Sequence, residues 1–144
     1  MSLTPFHVAL QARDIDEARR FYKSVLGCAE GRSAAQWVDF NLFGHQLVCH
    51  LNPALGPQGH IAAHANPVDG HGVPIPHCGV VLEMKDWTEL SLRLQKQGVK
   101  FVVEPHIRFK GQPGEQATLF LLDPSGNALE FKAFKNITAQ LFAS

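Results

Sequence analysis

Imidazole, thiol and carboxylate side chains are the groups here that could bind a metal or move a proton. Eight histidines accompany three cysteines and one tyrosine in 144 residues. Cys28, Cys49 and Cys78 are widely spaced with no Cys-x-x-Cys pair, so they read as free thiols in a reducing compartment rather than as a thiolate metal site. His7 and His77 sit in strand-like runs, Phe6-His7-Val8-Ala9-Leu10 and His77-Cys78-Gly79-Val80-Val81-Leu82, and Glu130 lies in a similar run near the C-terminus. Strand side chains alternate between faces, so parity sorts each run. Phe6, Val8 and Leu10 oppose His7, Ala9 and Gln11; Cys78, Val80 and Leu82 oppose His77, Gly79 and Glu83. Leu47, Cys49 and Leu51 oppose Gln46, Val48 and His50; Leu129, Phe131 and Ala133 oppose Ala128, Glu130 and Lys132. The apolar sets must meet helices, which puts His7, His77, Glu130 and His50 on the other side. Two neutral imidazoles and one carboxylate with open positions suit a divalent transition metal, in the manner of non-haem iron oxygenases. An equally simple reading makes the histidines hydrogen-bonded sheet residues and Glu130 a solvated carboxylate.

The elements that must position these residues occur twice. After the first strand, Asp14-Ile15-Asp16-Glu17 starts a helical stripe of Ile15, Ala18, Tyr22, Val25 and Leu26 that stops at Gly27. After His77–Leu82, Asp86-Trp87-Thr88-Glu89 starts a second, with Trp87, Leu90 and Leu94, that ends at Gly98. Three strand-like segments follow each helix: Cys28–Arg32, Gln36–Phe43 and His45–Leu51, then Lys100–Val103, Gln116–Leu122 and Asn127–Phe134. The expected fold is α+β: two βαβββ modules in a single domain, residues 5–51 and 76–134, forming a curved mixed sheet with helices on its outer face. Residues 52–75 read as a long loop without strand or helix period, 104–115 as an irregular stretch, and 135–144 as a C-terminal tail. His7 and His77 hold equivalent places in the repeat. Glu130 follows Gly126 by four residues, and its counterpart four residues after Gly44 is Val48.

Thirteen basic residues balance thirteen acidic ones, which argues against a nucleic-acid partner. The longest apolar run, Leu119–Leu122, is far below the roughly 20 residues of a membrane span. Neither an export signal nor a membrane partner is expected, and the chain reads as cytoplasmic.

The opening Phe6-His7-Val8, the repeat start His77-Cys78-Gly79-Val80 and the run Leu122-Asp123-Pro124-Ser125-Gly126-Asn127-Ala128-Leu129-Glu130 together resemble the vicinal oxygen chelate superfamily of glyoxalases, bleomycin resistance proteins and extradiol dioxygenases. The resemblance implies metal ligands at His7, His77 and Glu130, a substrate with vicinal oxygens, and a homodimer. Glyoxalase- and epimerase-like members place a fourth ligand where this chain has Val48, and three ligands match the extradiol type. The reading is therefore an extradiol-like dioxygenase with Fe(II) first and Zn, Mn or Ni as alternatives. A glyoxalase- or epimerase-like isomerase or lyase working through an enediolate is the second reading, and a non-catalytic binding or resistance protein the third. Extradiol-like members also use a tyrosine near the metal, whereas Tyr22 falls in the first helix. His50 is a candidate proton carrier, and Arg108 and Lys110 candidates for clamping an anionic substrate. His60, His64 and His71 share no common spacing.

Overall fold

The computed structural model describes residues 3–144, which group into two compact units. The first runs to Ala62 and takes in Asp123–Asn127; the second comprises Ala63–Leu122 and Ala128–Ser144. The first unit holds β1 (His7–Ala12), α1 (Ile15–Arg19), β2 (Ala29–Ala34), β3 (Trp37–Leu42) and β4 (His45–Leu51). The second holds β5 (His64–Val68), β6 (His71–Ile75), β7 (His77–Glu83), α2 (Met84–Lys96), β8 (Phe101–Arg108), β9 (Gln116–Leu122) and β10 (Ala128–Phe134), with a short α3 (Ile137–Gln140) in the C-terminal segment. Each unit has one mixed four-stranded sheet, ordered β1-β4-β3-β2 and β7-β10-β9-β8, with the outer helix-linked strand parallel to its neighbour. This is the expected pair of βαβββ modules.

Asp14 caps α1 by accepting from the Glu17 backbone N–H at 2.7 Å, as the Asp-x-x-Glu pattern requires. The helix then widens into a π-helical stretch, Arg20–Val25, in which Leu26 N–H donates to the Phe21 carbonyl. Tyr22 in that stretch is fully buried, stacked on Phe40 of β3 with centroids 5.1 Å apart. In the second unit α2 begins at Met84, two residues ahead of the Asp86 start. Glu83 ends β7 and passes straight into the helix without a side-chain cap, and Asp86 stays in the first turn, where its charge favours the helix N-terminus. Trp87, Leu90 and Leu94 form the buried stripe, and the Trp87 indole donates to the Phe131 carbonyl at 2.9 Å. Gly98, at φ +71°, ends the helix.

Two expectations are corrected. Residues 52–75 are not structureless: β5 and β6 form a hairpin closed by Asp69 and Gly70, both at positive φ, the geometry that favours an Asp-Gly turn. Pro67 and Pro74 mask its strand pattern, yet each strand of a two-stranded ribbon has a free edge that tolerates proline. Likewise β8 continues past Val103 to Arg108, through two register shifts that break its alternation.

In the parallel β7–β10 register Gly79 lies opposite Glu130, and a Cβ at Gly79 would run into the Glu130 backbone carbonyl. Gly79→Ala is therefore expected to cost about 1–3 kcal/mol of stability by overpacking. Urea unfolding checks this; an unchanged midpoint would mean that the two strands can separate locally without penalty. Among the described residues no helix is long and apolar enough to cross a membrane.

Candidate metal-binding site

On β1 and β7 exposure alternates as the parity of the sequence requires. On β1, His7, Ala9 and Gln11 are exposed while Val8 and Leu10 turn to the helix side; on β7, His77 and Gly79 are exposed and Leu82 is buried. Within the second unit His77 and Glu130 come together, with Nε2 of the ring 3.3 Å from the carboxylate Oε1. Glu130 is only 7% exposed. Its other oxygen accepts a 2.6 Å hydrogen bond from the hydroxyl of Thr118, which is itself fully buried on β9. The Lys132 ammonium, two residues along β10, lies 3.8 Å from Oε1. His77 packs edge-on against Phe120, with centroids 5.0 Å apart.

Both imidazoles have their tautomer set by a partner. His77 Nδ1 lies 2.7 Å from the Pro74 carbonyl, which can only accept, so Nδ1 carries a proton and Nε2 is the nitrogen left for a metal. In the first unit His7 Nδ1 lies 2.7 Å from Oε1 of Gln46, its register partner on β4. The orientation of that amide is fixed in turn. Gln46 Nε2 donates to Asp39 Oδ2 at 3.2 Å, so the amide oxygen must face His7. His7 Nδ1 is thus the donor and its Nε2 is free to bind. Imidazoles held this way through the second ring nitrogen are the usual form of metal-ligating histidine. Nε2 of His77 and Oε1 of Glu130 face each other at 3.3 Å, and a cation bound by both would use the ring lone pair and the carboxylate charge together. These donors fit a divalent transition metal. Among the described residues no group of three His, Cys, Asp or Glu side chains is gathered to hold a metal ion, and His7 belongs to the other unit from His77 and Glu130.

The register also places the counterpart of Glu130. Glu130 pairs with Gly79, two residues after His77, and Val48 pairs with Ala9, two residues after His7. Val48 is 5% exposed and has no donor atom. His50, one alternation further along β4, is exposed and lies opposite Trp37 and Gln11. Arg108 ends β8 with its guanidinium ion-paired to Asp69 at the hairpin tip, 2.9 Å away, and 4.8 Å above the Phe109 ring. The rings of His71 and His106 meet nearby, tilted by 37° with centroids 5.0 Å apart. Lys110 is exposed in the turn after β8. Three polar residues of these faces lie outside the sequence-based set: Asp39, Thr118 and Lys132. Alternation in Trp37-Val38-Asp39-Phe40-Asn41-Leu42 would have found Asp39, since Val38, Phe40 and Leu42 make its apolar set.

The Asp-Pro-Ser-Gly-Asn run organises the first unit. Asp123, 5% exposed, accepts from the Tyr22 hydroxyl (2.8 Å), the Asn127 side chain (2.8 Å) and the backbone N–H groups of Ser125 and Asn127 (both 2.9 Å). Burial raises its pKa above the ordinary 3.8, and the hydrogen bonds from Asn127 and Tyr22 oppose that rise. The single tyrosine is therefore committed to this turn.

The model of the Glyoxalase/Bleomycin resistance protein/Dioxygenase superfamily matches residues 4–131. The chain belongs to that superfamily. A superfamily member of known structure from Alicyclobacillus acidocaldarius, described as a glyoxalase/bleomycin resistance protein/dioxygenase, is 33% identical over 94% of each chain, with a TM-score of 0.74. A lactoylglutathione lyase from Agrobacterium tumefaciens is 21% identical (93% of this chain, 94% of that one; TM-score 0.58). A fosfomycin resistance protein from Listeria monocytogenes is 15% identical (97% and 99%; TM-score 0.63). These last two share the superfamily fold, and their own activities differ. No curated protein matches the chain.

Proposed function

We propose that this protein is a metal-dependent enzyme acting on a small substrate with two adjacent oxygens, with His7, His77 and Glu130 as the metal ligands. The dioxygenase reading is favoured, with Fe(II) as the metal. The carrying observation is the register, which puts buried Val48 where the repeat would otherwise supply a fourth ligand. Three protein ligands leave positions for a bidentate substrate and dioxygen. The equivalence of His7 and His77 in the repeat, each with Nδ1 tied to an acceptor, supports a shared role. When bound, the metal would supply Lewis-acid charge stabilisation and a template for the two substrate oxygens. Thr118 and Pro74 orient Glu130 and His77, Gln46 orients His7, and the exposed imidazole of His50 is available to carry a proton.

Metal analysis of anaerobically purified protein, followed by oxygen uptake with a panel of catechols, tests this. Stoichiometric iron and catechol-dependent uptake that is lost in His77→Ala are expected. Metal without uptake would move the reading to an isomerase or lyase. A second reading rests on Lys132: its ammonium beside Glu130 can balance the carboxylate without a metal, as a binding or resistance protein would require. Metal-free protein that still binds its ligand after His7→Ala would favour it.

A further inference from the structure

Asp39 is a charged group that the site described so far uses only through a neighbour. It lies on β3 and is 8% exposed. It pairs directly with Val48 across the β3–β4 ladder, and its Oδ2 accepts from Gln46, so it shares the face of β4 that carries Gln46 and Val48. Glycine at position 31 leaves β2 bare beside it; a Cβ there would sit 3.2 Å from the Asp39 Cβ. Among the described residues no Lys, Arg or His lies within ion-pair distance of Asp39, and the Gln46 amide is the one side-chain donor that reaches it. A carboxylate this deeply buried without a cation is costly, and buried charges are ordinarily paired or bound to metals. Asp39 spends one oxygen on orienting Gln46 and keeps the other.

Its place in the sheet favours a proton acceptor over a fourth ligand. β3 is two ladder steps from β1, about 9.6 Å, and the Val48 rung lies two residues, about 6.7 Å, from that of His7, so the two Cα atoms are about 12 Å apart. Strand side chains stand roughly perpendicular to their sheet, and the Gln46 amide, bonded to both, lies between His7 and Asp39, so the two do not converge on one ion. The Asp39 oxygen that Gln46 does not use is the one left to meet a polar group of a substrate.

We propose that Asp39 is a catalytic residue, the base that accepts the proton of one substrate hydroxyl. The O–H bond breaks, the proton passes to the free Asp39 oxygen, and the electron pair stays on the substrate as an oxyanion, whose charge a metal held by the ligand residues would stabilise. The proposal rests on the metal-dependent reading above and selects, within it, substrates that bear an ionisable hydroxyl beside their second oxygen.

The test uses the metal-loaded full chain and 4-nitrocatechol, whose visible band reports its ionisation. Wild type should bind the probe fully ionised, with a red-shifted band at neutral pH. Asp39→Asn keeps an acceptor for Gln46 and should leave metal content and apo stability undiminished. It should weaken probe binding by about tenfold or more, a difference near 1.4 kcal/mol, and abolish the red shift. Asp39→Glu, which restores a carboxylate, should recover part of the shift. An unchanged shift in Asp39→Asn with full metal content overturns the base role, and loss of metal in that variant overturns it in favour of a purely supporting one. Wild-type protein without stoichiometric metal would sink the metal-dependent reading first, and the proposal with it.

Discussion

Glu130→Gln is expected to weaken divalent-metal binding by about 100-fold or more while the fold persists. Losing an outer-shell partner of a metal ligand typically costs 10–100-fold, and losing the charge of a ligand itself should exceed that. Glutamine has nearly the same shape, so its carbonyl oxygen can still accept from the Thr118 hydroxyl and no buried donor is stranded. Alanine would be the poorer test, because it leaves fully buried Thr118 without an acceptor. The His77 ring at 3.3 Å and the Lys132 ammonium at 3.8 Å are both partly exposed, so water can take the place of the lost carboxylate oxygen beside them. Apo stability should therefore move by no more than about 1 kcal/mol. Competition against a chromophoric chelator measures affinity, and urea unfolding of the apo protein measures stability. Undiminished metal affinity in this variant would remove Glu130 from the ligand set.

Much of the fold was legible because burial on one face imposes a strict period. The sets Val8/Leu10, Val80/Leu82 and Leu129/Phe131 could face only helices, which leaves His7, His77 and Glu130 on the other side, and the observed register agrees residue for residue with the Val48–Glu130 equivalence. In residues 52–75 two local signals conflict. Val68-Asp69-Gly70-His71 carries the Asp-Gly hairpin signal, but Pro67 and Pro74 suggested a loop, because proline argues against a strand only where both edges are paired. The β8 register shifts destroyed the period that parity needs. Charged residues were the hardest to read, since a sequence does not show their partners: Arg108 is engaged with Asp69, and the ammonium beside Glu130 belongs to Lys132. Asp39 was accessible to the same alternation that found His7. Its significance depends on the absence of a cation partner, which only three-dimensional neighbours reveal.

The largest loss of stability should follow Asp123→Ala, about 3–5 kcal/mol, the range for breaking a buried, hydrogen-bonded charge. Truncation strands the Tyr22 hydroxyl, the Asn127 amide and the Ser125 and Asn127 backbone N–H groups, all of which point at the carboxylate. Other bonds depend on the same turn: Arg13 N–H donates to the Ser125 hydroxyl at 2.9 Å, Ile61 N–H to the Ser125 carbonyl at 2.8 Å, and the Asn127 amide to the Gln11 carbonyl at 2.8 Å. The turn thus ties together the end of β1, the start of α1 and the segment after β4, so the damage would spread beyond one side chain. The pH dependence has a definite sign. Burial raises the folded-state pKa of Asp123, so the folded state binds its proton more tightly than the unfolded chain does. The stability linked to that proton is fully present below the unfolded value of about 3.8 and is lost as pH rises through the higher folded value. The deficit of Asp123→Ala relative to wild type should accordingly be greatest in acid and shrink as pH rises through the folded-state pKa. Urea unfolding at several pH values between about 4 and 7 measures this. A deficit that instead grew with pH would show that the four hydrogen bonds outweigh burial and hold Asp123 below the ordinary carboxylate value. A deficit below about 1 kcal/mol throughout would mean that water can replace the carboxylate in this turn.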